Sequence, residues 1–197
     1  MNLIGLDHSL FHHLNSDFTN PIFDAVFPYI TDLQKNMITV ALAVLVLALA
    51  LGYYFRWKGL RVFIAFGIAV GVTDFVNYHF LKSNIERLRP EYAGMNPVLR
   101  THSHSGTSFP SNHAANITAA AVFLGFWLRR AKYFFYFYAF LICYSRVYVG
   151  VHFPLDVIGG ALVGLNVAVL TQFLYLKVEA RFFPGLNSVQ IQRPVSS

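Results

Sequence analysis

Long apolar runs alternate along the chain with short polar clusters. Five stretches hold enough apolar residues to be read as bilayer-spanning helices, which need roughly 20 residues each: 37–55, 62–81, 113–128, 133–151 and 157–176. The first carries no charge, the second is interrupted by Asp74, and the fourth is rich in Phe and Tyr. Gly67/Gly71 and Gly160/Gly164 are small-xxx-small pairs of the kind that lets helices approach closely. Residues 1–36 read differently. Leu10, Phe11 and Leu14, then Ile22, Phe23, Val26, Phe27 and Ile30, recur at helical spacing with Asp and His between them. Pro21 suits the first turn of a helix, with Asn20 as its cap. This pattern predicts one or two amphipathic helices lying along the membrane interface, with a short sixth span as the alternative.

The expected fold is therefore all-α: a polytopic membrane bundle of five to six transmembrane helices in one domain. Its parts are N-terminal interfacial helices over 1–36, a transmembrane core over 37–177 and a cytoplasmic tail over 178–197. Composition agrees. The chain is 56% hydrophobic and 12% charged, about half the charged fraction of a soluble domain. A net charge of +6 would suggest nucleic acid as a partner for a soluble protein. Here the cations stand at helix ends and in the polar clusters, and no basic-aromatic patch is left over for nucleic acid. Cys143 is the only cysteine and lies inside an apolar run, so it reads as a packed thiol. The first 34 residues lack Lys and Arg, so no cleavable signal peptide is expected.

The cations also orient the bundle. Arg56, Lys58, Arg61, Arg129, Arg130, Lys132, Lys177, Arg181 and Arg193 fall on one side, nine in all, against six (Lys35, Lys82, Arg87, Arg89, Arg100 and Arg146) on the other. The positive-inside rule puts the nine in the cytoplasm. Trp57 and Trp127 then sit at the cytoplasmic ends of spans, as interface anchors should. The remaining polar clusters share the outer side, toward periplasm or extracellular space.

Three of those clusters carry chemistry. Lys82 and Arg89-Pro90 follow the second run, Pro110-Ser111-Asn112-His113 opens the third, and Ser145-Arg146, His152 and Asp156 join the fourth to the fifth. Lys82, Arg89 and Arg146 supply the point charge and planar forks that hold a phosphoryl group. The start of the third helix adds free backbone N–H groups and a positive dipole end. His152 and Asp156 are four residues apart, so the carboxylate can fix the imidazole tautomer and leave the other nitrogen free to attack. His113 can protonate a leaving oxygen and later activate water. Any one of these cations would otherwise read as an interfacial anchor; three beside two histidines read as a phosphate site.

The clusters resemble those of the type 2 phosphatidic acid phosphatase family, whose site is similar to that of the vanadium haloperoxidases. That family shows Lys-x6-Arg-Pro, Pro-Ser-Gly-His and Ser-Arg-x5-His-x3-Asp. The first and third are complete here, and the second has Asn112 in place of Gly. The resemblance covers roughly residues 74–160. It implies His152 as the nucleophile that forms a phosphohistidine, Asp156 as its orienter and His113 as general acid. It also implies Lys82, Arg89, Ser111 and Arg146 as phosphate binders, and no metal or other cofactor. The residue in place of Asn112 would donate its backbone N–H to phosphate. Asn keeps that amide and tolerates unusual backbone angles, so altered head-group preference is expected rather than lost activity.

The function implied is a phosphatase of a phosphorylated membrane lipid, with undecaprenyl diphosphate, phosphatidylglycerol phosphate, lipid A 1-phosphate and phosphatidic acid as the substrates considered. The alternatives are transfer of the phosphoryl group to a second lipid, or non-catalytic binding or transport of an anionic lipid. Vanadate-dependent oxidation is more distant, given the membrane setting. Asp74, an ionisable residue within a span, is expected to pair with a site cation or a polar cavity. His102 and His104 read as solvated loop residues rather than metal ligands. Tyr92, Met95 and Phe109 are candidate head-group contacts.

Overall fold

The computed structural model describes residues 2–33, 36–102 and 106–184. Lys35, His104 and Arg193, named above, lie outside the described residues. The described chain is helical, with no strand. Its helices are α1 (Leu3–His12), α2 (Pro21–Asp32), α3 (Met37–Phe55), α4 (Trp57–Phe75), α5 (Asn112–Trp127), α6 (Lys132–Tyr148) and α7 (Pro154–Phe182). Short π-helical segments, His13–Asp17 and Val76–Lys82, extend α1 and α4. Asparagines start the first three helices. Asn2 Oδ1 accepts from Gly5 N at 2.8 Å, Asn20 Oδ1 from Ile22 N at 2.8 Å and Asn36 Oδ1 from Ile38 N at 3.0 Å. Each satisfies an N–H that the first turn leaves without an intrahelical partner. The Asn20–Pro21 start is where its sequence predicts it.

Among the described residues, three helical stretches are long and apolar enough to cross a membrane: Met37–Phe55, Trp57–Lys82 and Pro154–Phe182. α5 and α6 have 16 and 17 residues, roughly 24–26 Å at 1.5 Å per residue; α5 matches the length of its apolar run, and α6 is shorter than its own. The fourth run continues to 151, but its last residues form the turn that leads into α7.

The core is built around α5. Ala114, Ala115 and Ala119 are fully buried on it, facing Gly160 and Gly164 of α7. A Cβ on Gly160 would fall on the carbonyl oxygen of Ser111, and one on Gly164 on that of Ala115. The two backbones therefore touch. At the start of both helices Ser111 N donates to Asp156 O at 3.0 Å, which fixes the second motif against the third. The other glycine pair does not act this way: Gly67 and Gly71 have open space where a Cβ would stand. Gly164→Ala should lower stability by about 1–3 kcal/mol, the usual cost of overpacking. Gly67→Ala should leave it unchanged or raise it slightly, because Ala is the better helix former. Thermal melts of the two variants in the same detergent check the contrast; equal melting temperatures would contradict the backbone contact.

α1 and α2 are present as expected, but they turn polar groups inward as well. Asp7, Asn15 and Thr31 are all buried. Asn15 Nδ2 donates to Val98 O at 3.0 Å and Tyr148 O at 2.8 Å, and its Oδ1 accepts from Val98 N at 2.8 Å. Phe23 and Phe27 stack on each other and meet Tyr144 and Tyr148 edge-on. The N-terminal segment is thus a brace against the last turns of α6.

At the far end of the bundle, Arg61 makes a two-pronged bond to Glu179, through Nε at 3.0 Å and Nη2 at 2.8 Å. Phe55 meets Trp127 edge-on and Lys58 lies over the same indole. The α3–α4 turn, the end of α5 and the end of α7 therefore share one end of the molecule. That is the grouping the charge pattern predicts.

Candidate active site

Lys82 is the last residue of the π-helical segment Val76–Lys82. The wider turn shifts side chains around the helix, a device common beside functional sites. Lys82 Nζ donates to Pro110 O at 3.2 Å, so the first motif reaches the second directly. One turn earlier, buried Asn77 donates through Nδ2 to Asn112 Oδ1. The residue that stands in place of the family's Gly is thereby held by a partner from α4.

Arg89 is buried on the loop that follows. Its Nη1 donates to Val151 O at 2.9 Å and its Nε to Gly106 O at 3.2 Å, while Nη1 lies 3.4 Å from His152 Nε2. Burial pushes the Arg89 guanidinium below its usual range, with Asp156 opposing; the group remains a cation, as arginine does in proteins. Arg146, in the last turn of α6, is wholly buried. Its Nη1 donates to Thr31 Oγ1 at 2.7 Å, and its Nε and Nη2 have no hydrogen-bond partner. Ser111 Oγ, also buried, has none either. Buried donors without acceptors are costly, and a phosphoryl group would satisfy them.

The turn between α6 and α7 passes through Gly150 at φ +89°, where a Cβ would lie 3.0 Å from Val98 O. Glycine fits that left-handed geometry, and the chain then delivers His152 inward, 2% exposed. Asp156 lies in the first turn of α7 and is fully buried. Its Oδ2 accepts from Phe153 N at 2.8 Å and Ser108 Oγ at 2.5 Å, and its Oδ1 accepts from Arg87 Nη1 at 2.7 Å. His152 Nδ1 is 3.7 Å from Asp156 Oδ2 and 3.4 Å from Ser108 Oγ. The carboxylate thus meets the ring partly through a serine hydroxyl. Nε2 is left on the side of Arg89. His113 is half-buried in the first turn of α5.

Three of the groups around Asp156 have no spacing signal in the sequence. Ser108 lies in a Ser/Thr-rich loop, and Arg87 falls among the six variable residues of the first motif, where it reads as one more outer cation. Asp7 belongs to α1. It accepts from Arg87 Nη2 through Oδ2 and from Leu155 N at 2.9 Å through Oδ1. The Arg87 guanidinium also stacks over the Phe153 ring, 4.3 Å from its centre.

The structure also places the other residues singled out in the sequence. Asp74 is exposed and accepts from Asn116 Nδ2 at 2.9 Å, so its partner is an amide one helix away rather than a site cation. Met95 is half-buried and packs against the core cluster of Phe11, Val147 and Phe153. Phe109 occupies the space left by the missing Cβ of Gly159. Tyr92 and His102 are exposed. Among the described residues, no three His, Cys, Asp or Glu side chains are grouped to hold a metal.

Residues 41–179 match the family model of the PAP2 superfamily. The chain is 32% identical over 135 residues to lipid A 4'-phosphatase of Bacteroides thetaiotaomicron, a match covering 64% of this chain and 60% of that protein. It is 33% identical over 156 residues to phosphatidylglycerophosphatase B of Bacillus subtilis, covering 74% and 71% respectively. Its backbone also superposes on the crystal structure of a transmembrane PAP2 type phosphatidylglycerolphosphate phosphatase from Bacillus subtilis. The TM-score is 0.66 at 27% identity, with 92% of this chain and 90% of that one covered. Motif spacing, buried site and helical framework agree with these matches: the chain is an integral membrane protein and belongs to the PAP2 superfamily.

Proposed function

We propose that this protein hydrolyses the phosphate from a phosphorylated membrane lipid through a phosphohistidine. The observation that carries the reading is the pairing of a buried imidazole, His152, with buried donors on Arg146 and Ser111 that lack acceptors. An anion is what those donors fit. Lys82, Arg89, Arg146, Ser111 and the Asn112 amide hold the phosphoryl oxygens and balance the charge that grows on them in the transition state. Ser108 and Asp156 keep the proton on His152 Nδ1, so Nε2 presents its lone pair to phosphorus. As the N–P bond forms, the P–O bond to the leaving group breaks, an ester bond in a monophosphate and an anhydride bond in a diphosphate, and His113 gives its proton to the departing oxygen. His113 then takes a proton from water, which attacks phosphorus. The N–P bond breaks, releasing inorganic phosphate and neutral His152.

The same reading assigns residues 37–177 to the membrane core and 178–197 to a cytoplasmic tail, with the site facing the extracytoplasmic side. On this reading α1 and α2 lie on that side, where Asp7 meets Arg87 and Leu155 N and Thr31 meets Arg146. The test is phosphate release by detergent-purified protein over undecaprenyl diphosphate, phosphatidylglycerol phosphate, lipid A phosphates and phosphatidic acid, with and without EDTA. Release from at least one lipid, unchanged by the chelator, is expected. Transfer of the phosphoryl group to a second lipid with no free phosphate would replace hydrolysis by transphosphorylation. Loss of activity with EDTA would sink the metal-independent mechanism.

A further inference from the structure

At the end of the bundle away from His152, a groove of about 460 Å³ runs between α5, α6 and α7. Val122, Phe126, Val169 and Phe173 line its apolar walls, and Arg129, on the turn from α5 to α6, and Lys132, the first residue of α6, border it. Gln172 lies inside, 8% exposed. Its Oε1 accepts from Trp127 Nε1 at 2.9 Å. An indole N–H only donates, so the amide orientation is fixed and Nε2 is the group turned elsewhere. That Nε2 is buried with no hydrogen-bond partner. Gly125 leaves room for Tyr136, whose hydroxyl would be 2.8 Å from a Cβ there.

The polarity of the groove runs in one direction. Two cations stand at its outer end, Arg129 on the turn and Lys132 at the first residue of α6. Gln172 lies further in, level with the last residue of α5, because it bonds Trp127. Apolar walls continue along α5 and α7. A glycerophospholipid has the same sequence of groups: an anionic phosphate, ester carbonyls that only accept hydrogen bonds, then acyl chains.

We propose that this groove is a binding site for an anionic glycerophospholipid of the leaflet opposite the active site. The phosphate sits between Arg129 and Lys132, an ester carbonyl accepts from Gln172 Nε2, and an acyl chain lies along Val169 and Phe173. This site is separate from the phosphoryl centre and does not depend on the catalytic reading.

The experiment titrates the full-length protein, in a zwitterionic detergent, with phosphatidylglycerol or phosphatidylcholine. Bound lipid is read by native mass spectrometry, and each titration is repeated in saturating inorganic phosphate. Phosphatidylglycerol should bind more tightly than phosphatidylcholine, and inorganic phosphate should not displace it. R129Q/K132Q should weaken phosphatidylglycerol about thirtyfold, the product of two surface cations at roughly 1 kcal/mol each, with basal phosphate release unchanged. Gln172→Glu keeps the acceptor for Trp127 but replaces the inward N–H by an oxygen, and it should weaken the same lipid. Equal affinity of wild type and R129Q/K132Q for phosphatidylglycerol would overturn the proposal. So would displacement by inorganic phosphate, which would place the lipid at the active site. A dimer that persists at saturating lipid would assign the groove to a second copy of the chain, and would overturn it too.

Discussion

His152→Ala is expected to lower lipid-phosphate hydrolysis by a factor on the order of 10³ or more, the scale seen when a covalent nucleophile is removed, while the protein stays folded and still binds phosphate. The structure separates these effects. The proposed phosphate donors lie on Lys82, Arg89, Ser111 and Arg146, none of which needs the imidazole to stay in place. Arg89 is held by Val151 O and Gly106 O, and Arg146 by Thr31. Asp156 keeps Arg87, Ser108 and Phe153 N as partners after the ring is gone. The measurements are phosphate release for turnover and protection against thermal unfolding by inorganic phosphate for binding. A variant that retains activity within tenfold of wild type would rule out His152 as the nucleophile. One that loses activity and phosphate protection together would mean the imidazole is part of the cradle instead.

Arg87→Gln is expected to be the most damaging change among residues that never touch the substrate. Arg87 bridges two buried carboxylates, Asp7 on α1 and Asp156 on α7. Without the guanidinium, both acids lose their cation in a place that water barely reaches. Breaking a buried pair by removing one partner typically costs about 3–5 kcal/mol. Turnover should also fall, because the proposed mechanism has Asp156 orient His152 and one of its oxygens would lose its anchor. The double variant Asp7→Asn, Arg87→Gln removes one stranded charge and keeps the Asn oxygen for Leu155 N. It should therefore recover part of the lost stability but not the turnover, since Asp156 still lacks its cation. A thermal melt and a kcat for each single variant and the double one close the cycle. If Arg87→Gln melts with wild type and keeps its kcat, Ser108 and Phe153 N alone suffice for Asp156, and α1 has no part in the chemistry.

The motif residues were legible because their relation is local. His152 and Asp156 are one helical turn apart, and Lys82 and Arg89 frame a single loop, so spacing along the chain carries the information. The brace around them was not legible. Asp7 meets Leu155 across 148 residues, Thr31 meets Arg146 across 115, and Arg87 meets Asp156 across 69. No period or motif encodes which distant segment will cover a site. The N-terminal helices were read correctly as helices, but their polar residues were assigned to a water-facing side when several turn inward. The glycines make the same point within a smaller compass. Gly67/Gly71 and Gly160/Gly164 look alike in sequence, yet only the second pair meets a neighbouring backbone. Spacing marks where a close approach is allowed; the partner helix decides whether it happens.

The bare contact between α5 and α7 separates two kinds of change open to this protein. The gap between α5, which opens at Ser111 and bears His113, and α7, which bears Asp156, is set by main chain packed closely on main chain, where Gly160 and Gly164 leave no room for a Cβ. Residues on the outer faces of either helix can be exchanged without moving the reacting groups relative to one another. On the proposed function, lipid preference can therefore diversify by surface substitution, while the phosphoryl chemistry keeps its dimensions.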